Sequence, residues 1–264
     1  MSWLKLFIAS NEPDAAPPPT RLRALNFALA LLLVTLLFYF SFQQVNYHWD
    51  WAGIYKYRSK FIQGWFNTIL ISLAALALSI CIGLFFALAQ RSRVLPLRYF
   101  SKLYIEVVRG TPLLVQILIF FYVVANAFGV ANRYLVGILT LACFSGAYIA
   151  EIIRAGIESV GRSQLESAKA IGLTRAQTYR YVVFPQALRQ TLPPLAGQFV
   201  SLIKDSSLLS IISINEFTLN AREVNSYTFS TLESYLPLAA GYLILTLPVS
   251  LWTRHLEKRH RYET

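Results

Sequence analysis

Residues 163–185 read SQLESAKAIGLTRAQTYRYVVFP, a polar stretch between two apolar segments. Ser163 and Glu166 have the spacing of a capping box, in which the hydroxyl caps an early backbone N–H and the carboxylate reaches back. Gly172 can take the left-handed conformation that ends a helix. These signals predict a first short helix from Ser163 to about Gly172.

The same stretch contains the start of a second helix. Thr174 and Gln177 repeat the capping-box spacing. Pro185 predicts where this helix stops or kinks, because proline lacks an N–H and clashes with the preceding turn. A polar loop that merely happens to be helical would explain the same signals, so the helix pattern alone leaves the function of the stretch open.

The composition is that of a membrane protein. Only 14% of the 264 residues are charged and 56% are hydrophobic, whereas soluble domains average about 25% charged residues. The net charge of +11 would suit a nucleic-acid partner if the cations clustered on one soluble face. They lie instead between apolar runs, as in membrane proteins, so we expect no nucleic-acid partner.

Long apolar runs predict six membrane-spanning helices and therefore an all-α integral membrane fold. The first run has 19 residues, about 28 Å of helix, which is enough to cross a bilayer. The expected spans lie at about residues 24–42, 65–89, 113–128, 134–152, 187–214 and 235–252. Gly83 and Ala87 in the second span, and Ala142, Gly146 and Ala150 in the fourth, have the small-residue spacing that permits close helix packing.

The distribution of cations predicts the orientation of the chain. With both termini cytoplasmic, 18 of the 24 Lys and Arg residues lie on the cytoplasmic side, five lie outside and Lys204 lies within the membrane. This asymmetry agrees with the positive-inside rule. We therefore expect a multi-pass protein with cytoplasmic N- and C-termini.

Polar residues interrupt the fifth predicted span. Lys204 and Asp205 stand at its centre, where each charge costs roughly 3 kcal/mol by insertion scales. Gln198, Ser201 and Asp205 share one helix face by their spacing. Two interpretations stay open: the charges form a structural pair or bond to backbone where the helix is broken, or the face lines a polar path for a transported solute.

The spacing in the opening stretch resembles the cytoplasmic loop of ABC importer permeases. The family pattern is Glu-Ala-Ala, three residues, Gly, nine residues, Ile, any residue and Leu-Pro. The matching residues are Glu166, Ala168, Gly172 and Pro185, and the conservative departures are Ser167, Val182 and Phe184. Residues 108–116 (VRGTPLLVQ) and 146–157 also resemble family segments. The resemblance covers roughly residues 64–252 and is to the polar amino acid uptake branch, that of histidine, glutamine and glutamate permeases.

The resemblance implies a division of the chain and a fold. Residues 1–23 would be a cytoplasmic tail, and residues 24–63 an additional N-terminal transmembrane helix with a periplasmic segment. Residues 64–252 would form a five-helix core like that of type I ABC importer permeases, with a coupling loop at 154–186. Residues 253–264 would be a basic cytoplasmic tail.

The resemblance also implies a mechanism and a set of partners. An ATP-driven importer in the bacterial inner membrane would move polar or charged amino acids by alternating access. The partners would be a dimer of cytoplasmic ATPases that bind ATP and Mg, an extracytoplasmic amino acid-binding protein and a second permease subunit, identical or homologous. The residues implied in ATPase coupling are Ser163, Glu166, Ser167, Ala168, Gly172 and Pro185, and the substrate path is expected at Gln198, Ser201, Lys204 and Asp205.

Two rival classes compete with this interpretation. The chain has no Gly-x-x-x-x-Gly-Lys-Ser/Thr loop for ATP, so it cannot power transport alone, and a channel or an ATP-independent transporter could use Lys204 and Asp205. A membrane enzyme could use Glu151, Arg154 and Glu166, but no nucleophile accompanies them. The scattered histidines predict no metal site, and no cofactor is expected in this chain.

Overall fold

The described part of the chain is helical throughout. A computed structural model describes residues 19–44 and 47–260, with side chains as far as residue 255. This part contains eleven α-helices and no β-strand. The helices are α1 (Thr20–Gln43), α2 (Trp51–Lys56), α3 (Arg58–Ala89), α4 (Leu95–Gly110), α5 (Leu113–Ile119), α6 (Arg133–Glu158), α7 (Arg162–Ala170), α8 (Arg175–Thr178), α9 (Phe184–Asp205), α10 (Phe217–Thr228) and α11 (Thr231–His260). The predicted all-α fold is confirmed.

The predicted number of spans agrees with the structure. Five helical stretches are long and apolar enough to cross a membrane, and a sixth span is obtained if α4 and the helix after it are counted together. The axes of these two helices differ by 111°, and α5 continues as a π-helix over Phe120–Ala125. Most of the tail predicted at residues 1–23 lies outside the described residues, and α1 begins within it at Thr20.

The chain divides into two units, Met1–Trp49 and Asp50–Thr264. In the first unit, α1 buries none of its described side chains. In the second, α2 and α10 are short helices, and the aromatic rings of Phe61 and Phe217 pack edge to face with centroids 6.3 Å apart.

Close packing of α3 against α6 forms the centre of the second unit. A Cβ atom on Gly83 would lie 2.4 Å from Ile149 Cγ2, and one on Gly146 would lie 2.6 Å from Ile82 Cγ2. Real Cβ atoms do not approach this closely, so the two glycines let the helices touch. Ala87 and Ala150 are fully buried. The small-residue stripes predicted from the sequence are therefore confirmed as packing surfaces.

Of the two outcomes predicted at Pro185, a stop or a kink, the stop is wrong, because α8 runs into α9. A π-helical turn, Tyr179–Val183, joins the two, and Arg175–Ile212 forms one helical stretch of 38 residues whose last part is a 3₁₀-helix. Pro185 lies in the first turn of α9. Proline has no backbone N–H to donate, and Pro185 stands where the hydrogen-bond pattern changes from π-helical to α-helical. The missing N–H therefore does not remove a regular α-helical hydrogen bond. The fifth span accordingly begins before Ala187.

Candidate coupling loop and transport path

The turn after α7 is closed as the sequence predicts. Gly172 has φ +81°, and its N–H donates to Lys169 O at 2.9 Å. The next N–H, of Leu173, donates to Ala168 O at 3.0 Å. These two bonds make a Schellman motif, which satisfies the last carbonyls of α7. A Cβ on Gly172 would meet no heavy atom within 4 Å, so the need for glycine is conformational.

The capping box predicted at Ser163 and Glu166 is wrong. The N-cap of α7 is Gly161, which makes no side-chain cap bond, and α7 begins at Arg162. Ser163 therefore lies inside the first turn, where its hydroxyl is past the N-cap position. Glu166 is exposed and lies beyond the first turn, so it also lacks the stabilising position at the positive end of the helix dipole.

The second predicted capping box is confirmed. Thr174 N donates to Gln177 Oε1 at 2.8 Å, and Gln177 N donates to Thr174 Oγ1 at 3.3 Å. These reciprocal bonds start α8 two residues after the Gly172 turn. The backbone between the two short helices is thereby defined at both ends.

A groove of about 430 Å³ lies between α7 and the π-helical turn, with Ser163, Ser167 and Tyr181 among its lining residues. Hydrogen bonding between the side chains of Gln164 and Gln186 joins α7 to α9. Ala168 also lines the groove but is only 3% exposed. The small size of Ala168 therefore allows close packing inside this chain, and the surface available to a partner is that of its neighbour Ser167.

The residues predicted for the path extend along α9. Gln198 and Ser201 are half-buried, and Gln198 Nε2 donates to Ser145 Oγ of α6 at 3.2 Å. Asp205, also half-buried, is the last residue of α9, and Lys204 is exposed. Within the described residues, no hydrogen bond or ion pair joins Lys204 to Asp205. The geometry thus gives no support to a structural ion pair at this position.

An ion-pair network lies at the end of α6. Arg154 bonds both to Glu151, with an Nε–Oε2 distance of 3.0 Å, and to Glu158. The Glu151–Arg154 pair expected from the i, i+3 spacing is confirmed. Arg109 Nη1 lies 3.6 Å from Glu151 Oε1, so the network also links α6 to α4. Sequence spacing within one helix could not show that second link.

Sequence reasoning missed the role of Gln116. This side chain is 8% exposed, and its Nε2 lies 2.8 Å from Val108 O, 2.8 Å from Thr111 Oγ1 and 3.2 Å from Thr111 O. It therefore joins the start of α5 to the end of α4 across the bend. The available signal is the position of Gln116 four residues after Pro112, because the helix break at Gly-Thr-Pro leaves carbonyls that need donors.

Comparison with known proteins identifies the class. Residues 79–262 match the family model described as the inner membrane component of binding-protein-dependent transport systems. The glutamine transport system permease protein GlnP of Escherichia coli K12 is 36% identical over 212 residues, covering 80% of this chain and 97% of that protein. The L-cystine transport system permease protein TcyB of Bacillus subtilis is 37% identical over 198 residues, covering 74% and 84%.

Solved structures give the same result. A chain in the crystal structure of an amino acid ABC transporter with histidines superposes with a TM-score of 0.75 at 37% identity, covering 81% of this chain and all of that one. A chain of the methionine ABC transporter MetNI, at 12% identity and a TM-score of 0.63, shares the fold.

This protein belongs to the family of binding-protein-dependent transport system inner membrane components. It is a membrane-embedded permease subunit of an ABC importer. Such a subunit transports but does not catalyse a reaction, because ATP hydrolysis takes place in a separate partner subunit. Membership therefore decides against the membrane-enzyme and ATP-independent alternatives.

Proposed function

We propose that this permease imports a polar amino acid and that the groove beside α7 receives a cytoplasmic ATPase. The observation that carries the proposal is the exposed groove between α7 and the π-helical turn, which are connected through a loop that defined hydrogen bonds close at Gly172 and at Thr174. A closed turn holds its shape when a partner pushes on it. Ser163, Ser167 and the exposed Glu166 would contact the ATPase, and Ala168, Gly172 and Pro185 would keep the geometry.

The amino acid substrate is supported by relatives and by α9. The relatives with 36% and 37% identity are permeases for glutamine and cystine, both polar amino acids. Gln198, Ser201 and Asp205 lie on one face of α9 and are half-buried. A half-buried amide, hydroxyl and carboxylate offer hydrogen bonds to the ammonium and carboxylate groups of an amino acid. Lys204, exposed on the same helix, would offer a cation to the carboxylate.

The proposed assembly follows that of the family. Two ATPases that bind ATP and Mg would dock on the cytoplasmic side, a binding protein would deliver the amino acid from outside, and a second permease subunit would complete the path. Both termini of this chain would be cytoplasmic in the bacterial inner membrane. ATPase closure would move α7 and switch the path between its two faces by alternating access.

Reconstituted transport tests the proposal. The permease, its ATPase and its binding protein are placed in proteoliposomes, and glutamine-stimulated and cystine-stimulated ATP hydrolysis are compared. Ser167→Trp, which fills the exposed groove, should abolish copurification of the ATPase and the stimulation. The control Ala176→Trp adds the same bulk at an exposed site on α8 outside the groove and should retain both. Normal copurification in the Ser167 variant would refute the docking site.

The substrate path has its own test. Asp205→Asn removes the charge with little change in shape, and we expect amino acid uptake to fall while the ATPase still copurifies. Gln198→Leu should change the preference among amino acids, since it removes the amide that also bonds Ser145. Unchanged uptake and unchanged preference in both variants would make these residues structural only.

A further inference from the structure

A second cavity, of about 640 Å³, lies where the end of α3 meets α4 and the end of α6. Its lining is strongly charged. Three acidic residues contribute, and the cations are Arg91, Arg98, Lys102, Arg109 and Arg154. Nothing in the proposed coupling or transport function uses this cavity.

Most of the acidic charge in this cavity is already paired. Glu151 and Glu158 both bind Arg154, which leaves Glu106 as the third acid of the lining. Across the described residues, Arg98 and Lys102 form no ion pair within 4.0 Å. The cavity therefore keeps an excess of positive charge on α4.

Other polar groups in the wall also have unused capacity. Among the described residues, the one hydrogen bond of the Arg91 side chain is a long one of 3.5 Å to Tyr179 Oη. The amide nitrogen of Gln90, which lines the cavity, is buried and has no acceptor within the described part of the chain. Cations and an unused N–H donor are groups that bind an anion.

The neighbouring side of α4 is apolar and exposed, and it adjoins the cationic face at Tyr99, which lies one turn (i, i+3) from Lys102. Tyr99, Phe100, Leu103 and Val107 are 53–65% exposed, although they lie on the helix that carries Arg98 and Lys102. This helix makes an angle of 111° with the one that follows. A helix with a charged face and an exposed apolar face, turned away from the next helix, is suited to lie in the plane of a membrane interface.

We propose that this cavity binds the phosphate group of an anionic phospholipid. Arg98 and Lys102 hold the phosphate, and the acyl chains run along the exposed apolar face of α4. Basic pockets between membrane helices bind such headgroups, and each cation near the surface strengthens the attraction. A lipid fits better than a soluble anion because the apolar face continues directly from the cationic one. The proposal is independent of the substrate and of the ATPase.

Lipid retention measured by native mass spectrometry tests the proposal. The full chain is purified in mild detergent with equal amounts of phosphatidylglycerol and phosphatidylcholine, and the retained lipids are counted. We expect the wild type to retain phosphatidylglycerol selectively. Arg98→Gln with Lys102→Gln should lower that selectivity about 25-fold, the equivalent of about 2 kcal/mol for two cations. Arg98→Lys with Lys102→Arg preserves both charges and should keep it.

A matched control removes the same charge elsewhere. Arg93→Gln with Arg162→Gln changes two exposed cations that do not line the cavity and should leave selectivity unchanged. Glu106→Gln removes the acid that forms no ion pair with any described residue, and it should increase the selectivity. Size-exclusion chromatography confirms that each variant is folded. Equal selectivity in the cavity variant and in the control would overturn the proposal. Displacement of the lipid by millimolar inorganic phosphate would also overturn it, since the ligand would then be a soluble anion.

Discussion

The bend between α4 and α5 gives a quantitative test of the fold. Replacing Gln116 by Met keeps the side-chain volume but removes the amide that bonds Val108 and Thr111 at 2.8–3.2 Å. The NH₂ group has two hydrogens, so about two hydrogen bonds are lost. At about 0.6–1 kcal/mol each, the bent arrangement loses about 1–2 kcal/mol, which shifts its equilibrium with other arrangements by about 5–30-fold.

The distance between spin labels reports this change directly. Labels at Leu103 and Val123, which are 60% and 61% exposed, lie on either side of the bend. We expect one narrow distance distribution in the otherwise wild-type chain and a broader one in Gln116→Met. The control Gln63→Met makes the same chemical change at an exposed residue of α3. Identical distributions in all three proteins would refute the role given to Gln116.

Three further predictions concern glycine and a buried acid. Gly146→Ala places a Cβ 2.6 Å from Ile82, so we expect about 1–3 kcal/mol of destabilisation in denaturant unfolding, whereas Gly197→Ala, with open space around its Cβ, should not destabilise. Burial raises the pKa of Glu216 from 4.5 to about 7, against the opposing effect of its hydrogen bonds. The stability that protonation of Glu216 contributes is therefore complete below pH 4.5 and is lost as the pH rises through 7. Glu216→Gln should make the melting temperature less dependent on pH over that window. Gly172→Ala forces a side chain to φ +81° at a cost of about 1 kcal/mol, and should lower substrate-stimulated ATP hydrolysis without lowering the amount of permease in the membrane.

Structural features that depend on one residue and its close neighbours in sequence could be predicted. Gly172 was predicted because few other residues adopt a positive φ, and the Thr174 capping box because both partners lie within one turn. The stripe containing Gly146 followed from helical spacing alone. The Ser163 capping box is wrong because that prediction depends on the residue that caps the helix, and the N-cap is Gly161 instead. Terminal residues of helices are the least certain part of any such prediction.

Features that depend on contacts between distant segments could not be predicted. The bonds of Gln116 to the preceding helix require knowledge of the bend, and the pairing of Arg109 with Glu151 requires α4 to lie beside α6. A helix can accommodate Pro185 by a kink or by a change of hydrogen-bond register such as the π-helical turn. The sequence signal for both is the same proline, so the sequence does not distinguish them. The charged cavity arises only when the ends of α3 and α6 meet α4.

The continuity of the helix through Pro185 bears on the proposed mechanism. A helix that ended there would separate the groove beside α7 from the polar face of α9 by a flexible joint. In the structure, one helical stretch runs from Arg175 to Ile212 and carries Tyr181 at the groove and Asp205 at the polar face. The 24 residue steps from Tyr181 to Asp205 correspond to about 36 Å of helix. We therefore expect movement at the groove to reach Asp205 as rotation or tilt of one element. Regular α-helical hydrogen bonding in this element is interrupted at the π-helical turn and at the consecutive prolines Pro193 and Pro194.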